Sequence, residues 1–134
     1  MYNKSIFIMI LKPYKELIVW QKSIELVKEV FILTESFPKS ELYGLTSQMR
    51  RAAVSIPSNI AEGNGRISLK EYCHSLSIAY GSGLELETQL ILAKELLLLN
   101  DTEFFNINVL LVEVLRLLKK IRDKIQIESR STNH

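Results

Sequence analysis

Residues 50–66 read RRAAVSIPSNIAEGNGR, and the fold turns on how this stretch is read. Alanines and serines dominate it, a proline sits in its middle, Glu-Gly-Asn-Gly closes it, and arginines stand at both edges. Together with the residues before it, the stretch has apolar positions at helical spacing. Leu42, Leu45, Met49, Ala52, Ile56 and Ile60 share one face, which predicts a helix over 41–62. Gly63-Asn64-Gly65 then acts as a stop, because glycine and asparagine take the left-handed conformation that closes a helix. Pro57 removes the hydrogen bond to Ala53 and is expected to kink or divide this helix.

Working outward, Ser68 with Glu71 three residues later forms a capping-box pattern. It opens a third helix over 68–99 through Tyr72, Leu76, Ala79, Gly83, Leu86, Leu90, Ala93 and Leu97. Upstream, Pro13 suits a helix start, and Leu17, Trp20, Ile24, Val27 and Phe31 step by three and four. That predicts a first helix over 14–36, ended by Phe37-Pro38 because the residue before proline avoids helical geometry. Downstream, Asn100-Asp101 makes a turn, and Asp101 or Thr102 caps a fourth helix over 102–126. Its apolar row is Phe104, Ile107, Leu111, Val114, Leu118, Ile121 and Ile125. Residues 1–13 read as a weakly ordered extension and 127–134 as a frayed tail. No β-alternating segment competes. Short joints between helices of this length imply an all-α, antiparallel up-down four-helix bundle over 14–126.

The small residues explain much of the opening stretch. Ala52, Ala53, Ser55, Ser58 and Ala61 are answered on the third helix by Ala79, Gly81, Ser82 and Gly83. Glycine inside a helix costs about 1 kcal/mol relative to alanine. Two of them within three positions therefore predict a close crossing of the second and third helices.

With 134 residues, 47% hydrophobic and 24% charged, the chain is the size of one domain and needs no disulfide or metal to fold. Its single cysteine, Cys73, makes no internal disulfide and fits a reducing cytosol. The apolar run Ile6 to Leu11 is shorter than a signal-peptide core, and no run approaches the ~20 residues of a membrane span. A cytoplasmic protein is expected. The net charge of +2 is small, but residues 80–113 carry one lysine against six acids, and residues 116–130 six cations against two acids. Local patches follow from that asymmetry.

LILAKELLLL (90–99) and VLLVEVLRLL (109–118) each hold eight apolar residues in ten, whereas one buried stripe uses three to four positions per two turns. A bundle of four helices has no fully surrounded member. The surplus predicts self-association through the third–fourth helix hairpin, at Leu92, Leu96, Leu99, Leu110, Val112 and Leu117.

Catalytic and metal constellations are missing from the pattern. Glu71 and His74 form one Glu-x-x-His, but a di-iron bundle needs two such motifs and two further glutamates, and the only other histidine is His134. Cys73 lacks a histidine partner outside its own neighbour. Neither Gly-x-Gly run has phosphate-loop context. No enzyme, metal or cofactor is expected. Arg50 and Arg51 point about 100° apart on a helix. One of them, assigned as Arg50, pairs with Glu85 or Glu87 across the crossing. Arg51 joins Arg66 and Lys70 as a basic surface. Lys119, Lys120, Arg122 and Lys124 form a denser patch, although cations near a helix C-terminus also favour the helix dipole.

LTSQMRRAAVSIPSNIAEGNGR followed by SLKEYCHSLSIAYGSGLELETQL resembles the 23S rRNA intervening-sequence proteins, a family of four-helix bundles, over about residues 14–126. The family is similar to the accessory protein of diversity-generating retroelements, which works with a reverse transcriptase and binds nucleic acid. The resemblance implies a homo-pentameric ring with RNA or DNA as partner, and a reverse transcriptase or other protein besides. It transfers no catalytic residue. One departure is visible: family members often close the third helix with Leu-Gly-Tyr-Leu, where this chain has Leu96-Leu97-Leu98-Leu99. The expectation is a non-enzymatic ring that binds nucleic acid through Lys119, Lys120, Arg122, Lys124, Arg51, Arg66 and Lys70. A protein-interaction scaffold is the alternative.

Overall fold

The computed structural model describes residues 12–66 and 68–131. The expected extension 1–13 therefore lies almost wholly outside the described residues, as does His134. Four α-helices and no strand occur among the described residues: α1 (Ile18–Glu35), α2 (Ser47–Asn64), α3 (Leu69–Glu95) and α4 (Asp101–Ser131).

α1 begins later than Pro13 suggests. The proline opens a 3₁₀ turn, Tyr14–Glu16, and Leu17 is extended and buried before the helix proper starts. The buried stripe of α1 is also rotated from the expected one. It consists of Val19, Ser23, Leu26, Val30 and Thr34. Trp20, Ile24 and Val27 are half-buried, and Phe31 is exposed. The reason is chemical. Ser23 Oγ donates to the Trp20 carbonyl at 2.7 Å and Thr34 Oγ1 to the Val30 carbonyl at 2.8 Å. Both hydroxyls are satisfied within their own helix, so polar residues occupy core positions and mask the apolar period.

Between α1 and α2 the chain makes a 3₁₀ turn, Lys39–Glu41, and a π-type turn, Leu42–Thr46, broken at Gly44 (φ −110°, ψ −113°). The second helix thus starts at Ser47 rather than 41, and Leu42 is exposed. Pro57 is buried inside α2, which runs unbroken to Asn64, so the proline does not divide it. Asn59 Nδ2 donates to the Ser55 carbonyl at 2.8 Å and to Ser55 Oγ at 3.0 Å, supplying donors within the turn that holds the proline. Gly65 closes the helix in right-handed geometry (φ −81°, ψ −6°), not the left-handed one expected. Asn64 instead uses its side chain, donating from Nδ2 to the Lys12 carbonyl at 3.0 Å and to the Tyr72 hydroxyl at 3.3 Å.

The close crossing of α2 and α3 is present. Ser55 Oγ and Ser82 Oγ share a hydrogen bond of 2.8 Å, and a Cβ on Gly63 would stand 2.6 Å from Ser75 Cβ. The helical glycines of α3 differ in role. A Cβ on Gly83 would reach 2.5 Å from Leu115 Cδ2 on α4, so its approach is mainly to that helix. Gly81 has open space around it, which corrects the expectation that both glycines serve the crossing.

α3 ends at Glu95, four residues before the expected 99. Leu97 takes φ +60°, its amide donates to the Lys94 carbonyl at 3.0 Å, and the Leu98 amide to the Ala93 carbonyl at 2.9 Å. This pair of bonds is a Schellman closure, built here on a leucine where glycine is the usual occupant. Asn100, not Asp101 or Thr102, caps α4. Its Oδ1 accepts from the Glu103 amide at 2.8 Å and Glu103 Oε1 accepts from the Asn100 amide at 2.9 Å. α4 continues through Ser131, so residues 127–131 are helical where a frayed tail is expected, and Glu128 is buried there.

All four helices contribute to one core, with Leu26, Val30, Met49, Ile56, Ile60, Leu76, Leu86, Leu90, Leu111, Leu118 and Ile125 fully enclosed. Tyr72, Ala79, Gly83, Ala93, Ile107 and Val114 are buried as expected.

Candidate functional site

The four-cation run near the end of α4 does not form one patch. Residues two apart on a helix lie about 200° apart, whereas residues four apart share a face. Lys120 and Lys124 accordingly line a groove of about 270 Å³ with Lys12, Glu16 and the apolar Leu17, Val19, Leu117 and Ile121. Arg122 turns the other way, toward α3. Its guanidinium lies 5.0 Å from the Tyr80 ring and Nη2 is 3.5 Å from Asp123 Oδ1. Lys119 is exposed.

The second set separates as well. Arg66 Nη2 is 2.7 Å from Glu62 Oε1 within one helical turn, so its charge is locally matched. Lys70 is exposed and borders two clefts. One lies between α2 and α3 and is lined by Asn59, Glu62, Arg66, Glu71 and His74; the other lies between α3 and α4. Arg51 is exposed on α2, fifteen positions before Arg66, or about 22 Å along a helix axis. It stands apart from the rest.

Arg50 makes no ion pair with Glu85 or Glu87 among the described residues. It turns to α1, where Nε donates to Thr34 Oγ1 at 2.9 Å and the guanidinium sits 4.7 Å from the Phe31 ring. Gln89 occupies Glu85 instead, donating from Nε2 at 3.3 Å. The arginine thus joins α1 to α2, not α2 to α3. The planar cation satisfies a buried hydroxyl and covers an aromatic face at once.

Contacts between helices place these groups relative to one another. Lys12 meets Asn64, Gly63 meets Ser75, and the Cys73 thiol lies 3.9 Å from the Arg122 carbonyl. The start of α1, the end of α2, the start of α3 and the end of α4 therefore lie together. Lys12, Arg66, Lys70, Lys120, Arg122, Lys124 and Arg130 all belong to these segments. Lys12 and Arg130 are residues that sequence reasoning missed. The expected tail ended the bundle before Arg130, yet Arg130 lines a cleft with Lys70 and Cys73. Burial raises the Cys73 thiol pKa, Arg122 and Arg130 oppose the rise, and Asp123 adds to it.

Of the six hairpin positions expected at an oligomer contact, Leu92, Leu96 and Val112 are exposed, at 48%, 60% and 47%. Leu110 and Leu117 are half-buried against the core, and Leu99 is a core residue at 5% exposure. Leu99 is withdrawn into the protein by the turn that follows Leu97. Ile91, Leu97, Phe105 and Val109 add to the exposed apolar surface of the same hairpin. Ile18 and Ile32 of α1 are exposed too, so the surplus is not confined to one region. No helix among the described residues is long and apolar enough to cross a membrane.

The sequence profile described as 23S rRNA-intervening sequence protein matches residues 15–120. No curated protein matches the chain.

Proposed function

From its membership of the 23S rRNA-intervening sequence protein family, to which this chain belongs, we propose a non-enzymatic, cytoplasmic, nucleic-acid-binding scaffold that assembles into a ring of copies. In this reading the helices form an antiparallel up-down bundle, and the hairpin of α3 and α4 carries the contact between copies. The resemblance to family members favours five.

The carrying observation is the gathering of Lys12, Lys70, Lys120, Lys124 and Arg130 at one end of the helices, from segments far apart in sequence. A few cations on one chain bind a polyanion weakly. Several copies on one ring engage a long strand together, and each neutralised phosphate adds to the salt dependence. Such contacts read the backbone, not the bases. The exposed Leu92, Leu96, Leu97, Phe105, Val109 and Val112 supply the apolar surface that assembly would cover.

The test is a salt titration of binding to single-stranded RNA and to duplex DNA, with and without Lys12, Lys70, Lys120, Lys124 and Arg130 changed to glutamine. Binding that weakens steeply with salt and is lost in the variant, while assembly persists, is the expected outcome. No binding at low salt, or binding indifferent to salt, defeats the reading.

The pairing of Arg66 with Glu62 and of Arg50 with Thr34 favours a second reading. Both arginines are engaged within the chain, as in a scaffold whose partner is another protein, a reverse transcriptase among them. Retention of a protein partner by the glutamine variant would select it.

A further inference from the structure

One cleft of about 320 Å³, between the first turns of α3 and the last turns of α4, is built unlike the other basic positions. Lys70, Cys73, His74 and Ser77 line it from α3, and Gln126, Ser129 and Arg130 from α4. Among the described residues no carboxylate lines it, in contrast to the groove holding Lys120 and Lys124, which includes Glu16, and to the neighbouring cleft, which includes Glu62 and Glu71. Lys70 and Arg130 make no ion pair with a described residue, so two cations from different helices face one space with no paired carboxylate among the described residues. At the cleft wall the charges of Arg122 and Arg130 act on the Cys73 thiol against that of Asp123.

The geometry points to this cleft as a phosphate-binding subsite. Lys70 supplies a point charge and Arg130 a planar fork suited to two phosphate oxygens. The Ser77 hydroxyl and the Gln126 amide add neutral donors, and His74 borders the opening. Among the described residues no Phe, Tyr or Trp ring lines the space, which favours a phosphate over a stacked base. Resting on the reading above, the phosphate is one from the nucleic-acid backbone, and Arg130 joins Lys70 as its principal contact.

Cys73 is the sole cysteine and lines the cleft, which makes it a built-in reporter. Inorganic pyrophosphate should slow its alkylation by iodoacetamide several-fold. The protection should vanish when Lys70→Gln and Arg130→Gln are combined, and persist with Lys70→Arg and Arg130→Lys. Rates are compared with and without pyrophosphate in each variant, which cancels the effect of the charges on the thiol itself. Absence of protection, or protection that survives the double glutamine variant, overturns the subsite. With single-stranded RNA, the double glutamine variant should lower the salt slope by about 0.7 for each phosphate it no longer neutralises. RNA binding with an unchanged slope removes the nucleic acid from this cleft. Pyrophosphate protection in a protein that binds no RNA defeats the function proposed above and leaves the phosphate subsite standing.

Discussion

Gly63 and Gly81 lie on neighbouring helices and look alike in sequence, yet they should respond oppositely to alanine. At Gly63 a new Cβ would meet Ser75 Cβ at 2.6 Å, an atom fixed to the α3 backbone, so the helices must part. Overpacking of this kind costs about 1–3 kcal/mol, more than the helix propensity alanine adds. At Gly81 nothing lies within 4 Å, and Gly81→Ala should stabilise the helix by up to about 1 kcal/mol. Chemical denaturation of the two variants checks both signs, and equal shifts would refute the difference. Leu97 carries the opposite lesson. Its φ of +60° costs a non-glycine residue about 1–2 kcal/mol, and at 89% exposure it has little packing to lose. Leu97→Gly should raise the stability of the folded chain by about 0.5–1 kcal/mol after the added freedom of the unfolded state is counted. A lower melting midpoint for that variant would mean that the side chain makes a contact not visible in one copy.

At the scale of the element, the joints between helices depend on side chains that sequence reasoning assigned elsewhere. Arg50→Ala should cost about 2 kcal/mol, since it removes a charged donor to buried Thr34 and a cation from the Phe31 face. Glu85→Gln and Glu87→Gln should each change stability by less than about 0.5 kcal/mol. The reverse pattern in urea melts would restore the α2–α3 ion pair. Tyr72 ties the start of α3 to Asn64 at the end of α2, and burial raises its phenol pKa, with the bond from Asn64 pulling the other way. The folded state therefore favours the protonated phenol, and the unfolded chain ionises first. Stability from this group is whole below its ordinary value of 10.0 and is lost as pH rises through the higher folded value. Thermal melts between neutral pH and alkaline pH should show this decline, and Tyr72→Phe should flatten it. A decline of equal steepness in that variant would assign it to other groups.

The whole molecule raises the question of assembly. Leu92, Leu96 and Val112 are exposed on one hairpin, so changing all three to serine removes no core packing. The variant should keep its helix content and elute as a smaller species by light scattering on a sizing column, with weaker RNA binding at equal chain concentration. A wild-type chain that stays monomeric at micromolar concentration would remove both the ring and the pooled charge built on it.

How much of this was legible in the sequence differs by element. Helices α2, α3 and α4 were readable because their core rows hold: Met49 to Ile60, Tyr72 to Ala93, and Ile107 to Ile125 are buried as their spacing implies, Ile121 alone being half-buried. The α1 stripe was not, since Ser23 and Thr34 are satisfied by their own helix and count as polar in any periodic reading. The helix ends at Glu95 and Ser131 also escaped. A leucine in left-handed geometry carries no compositional signal, and the packing of α4 decides whether its polar end stays ordered.

The sequence by itself determined that the chain is helical, that it has four helices in this order and to which family it belongs, because apolar period, turn residues and motif are local and survive without neighbours. Only the tertiary structure decided which cations share a space, which arginine is spent on a joint, and which leucines remain outside. Those outcomes depend on the rotation of each helix about its axis. A change of one position turns a side chain by about 100°, and packing between helices sets that angle.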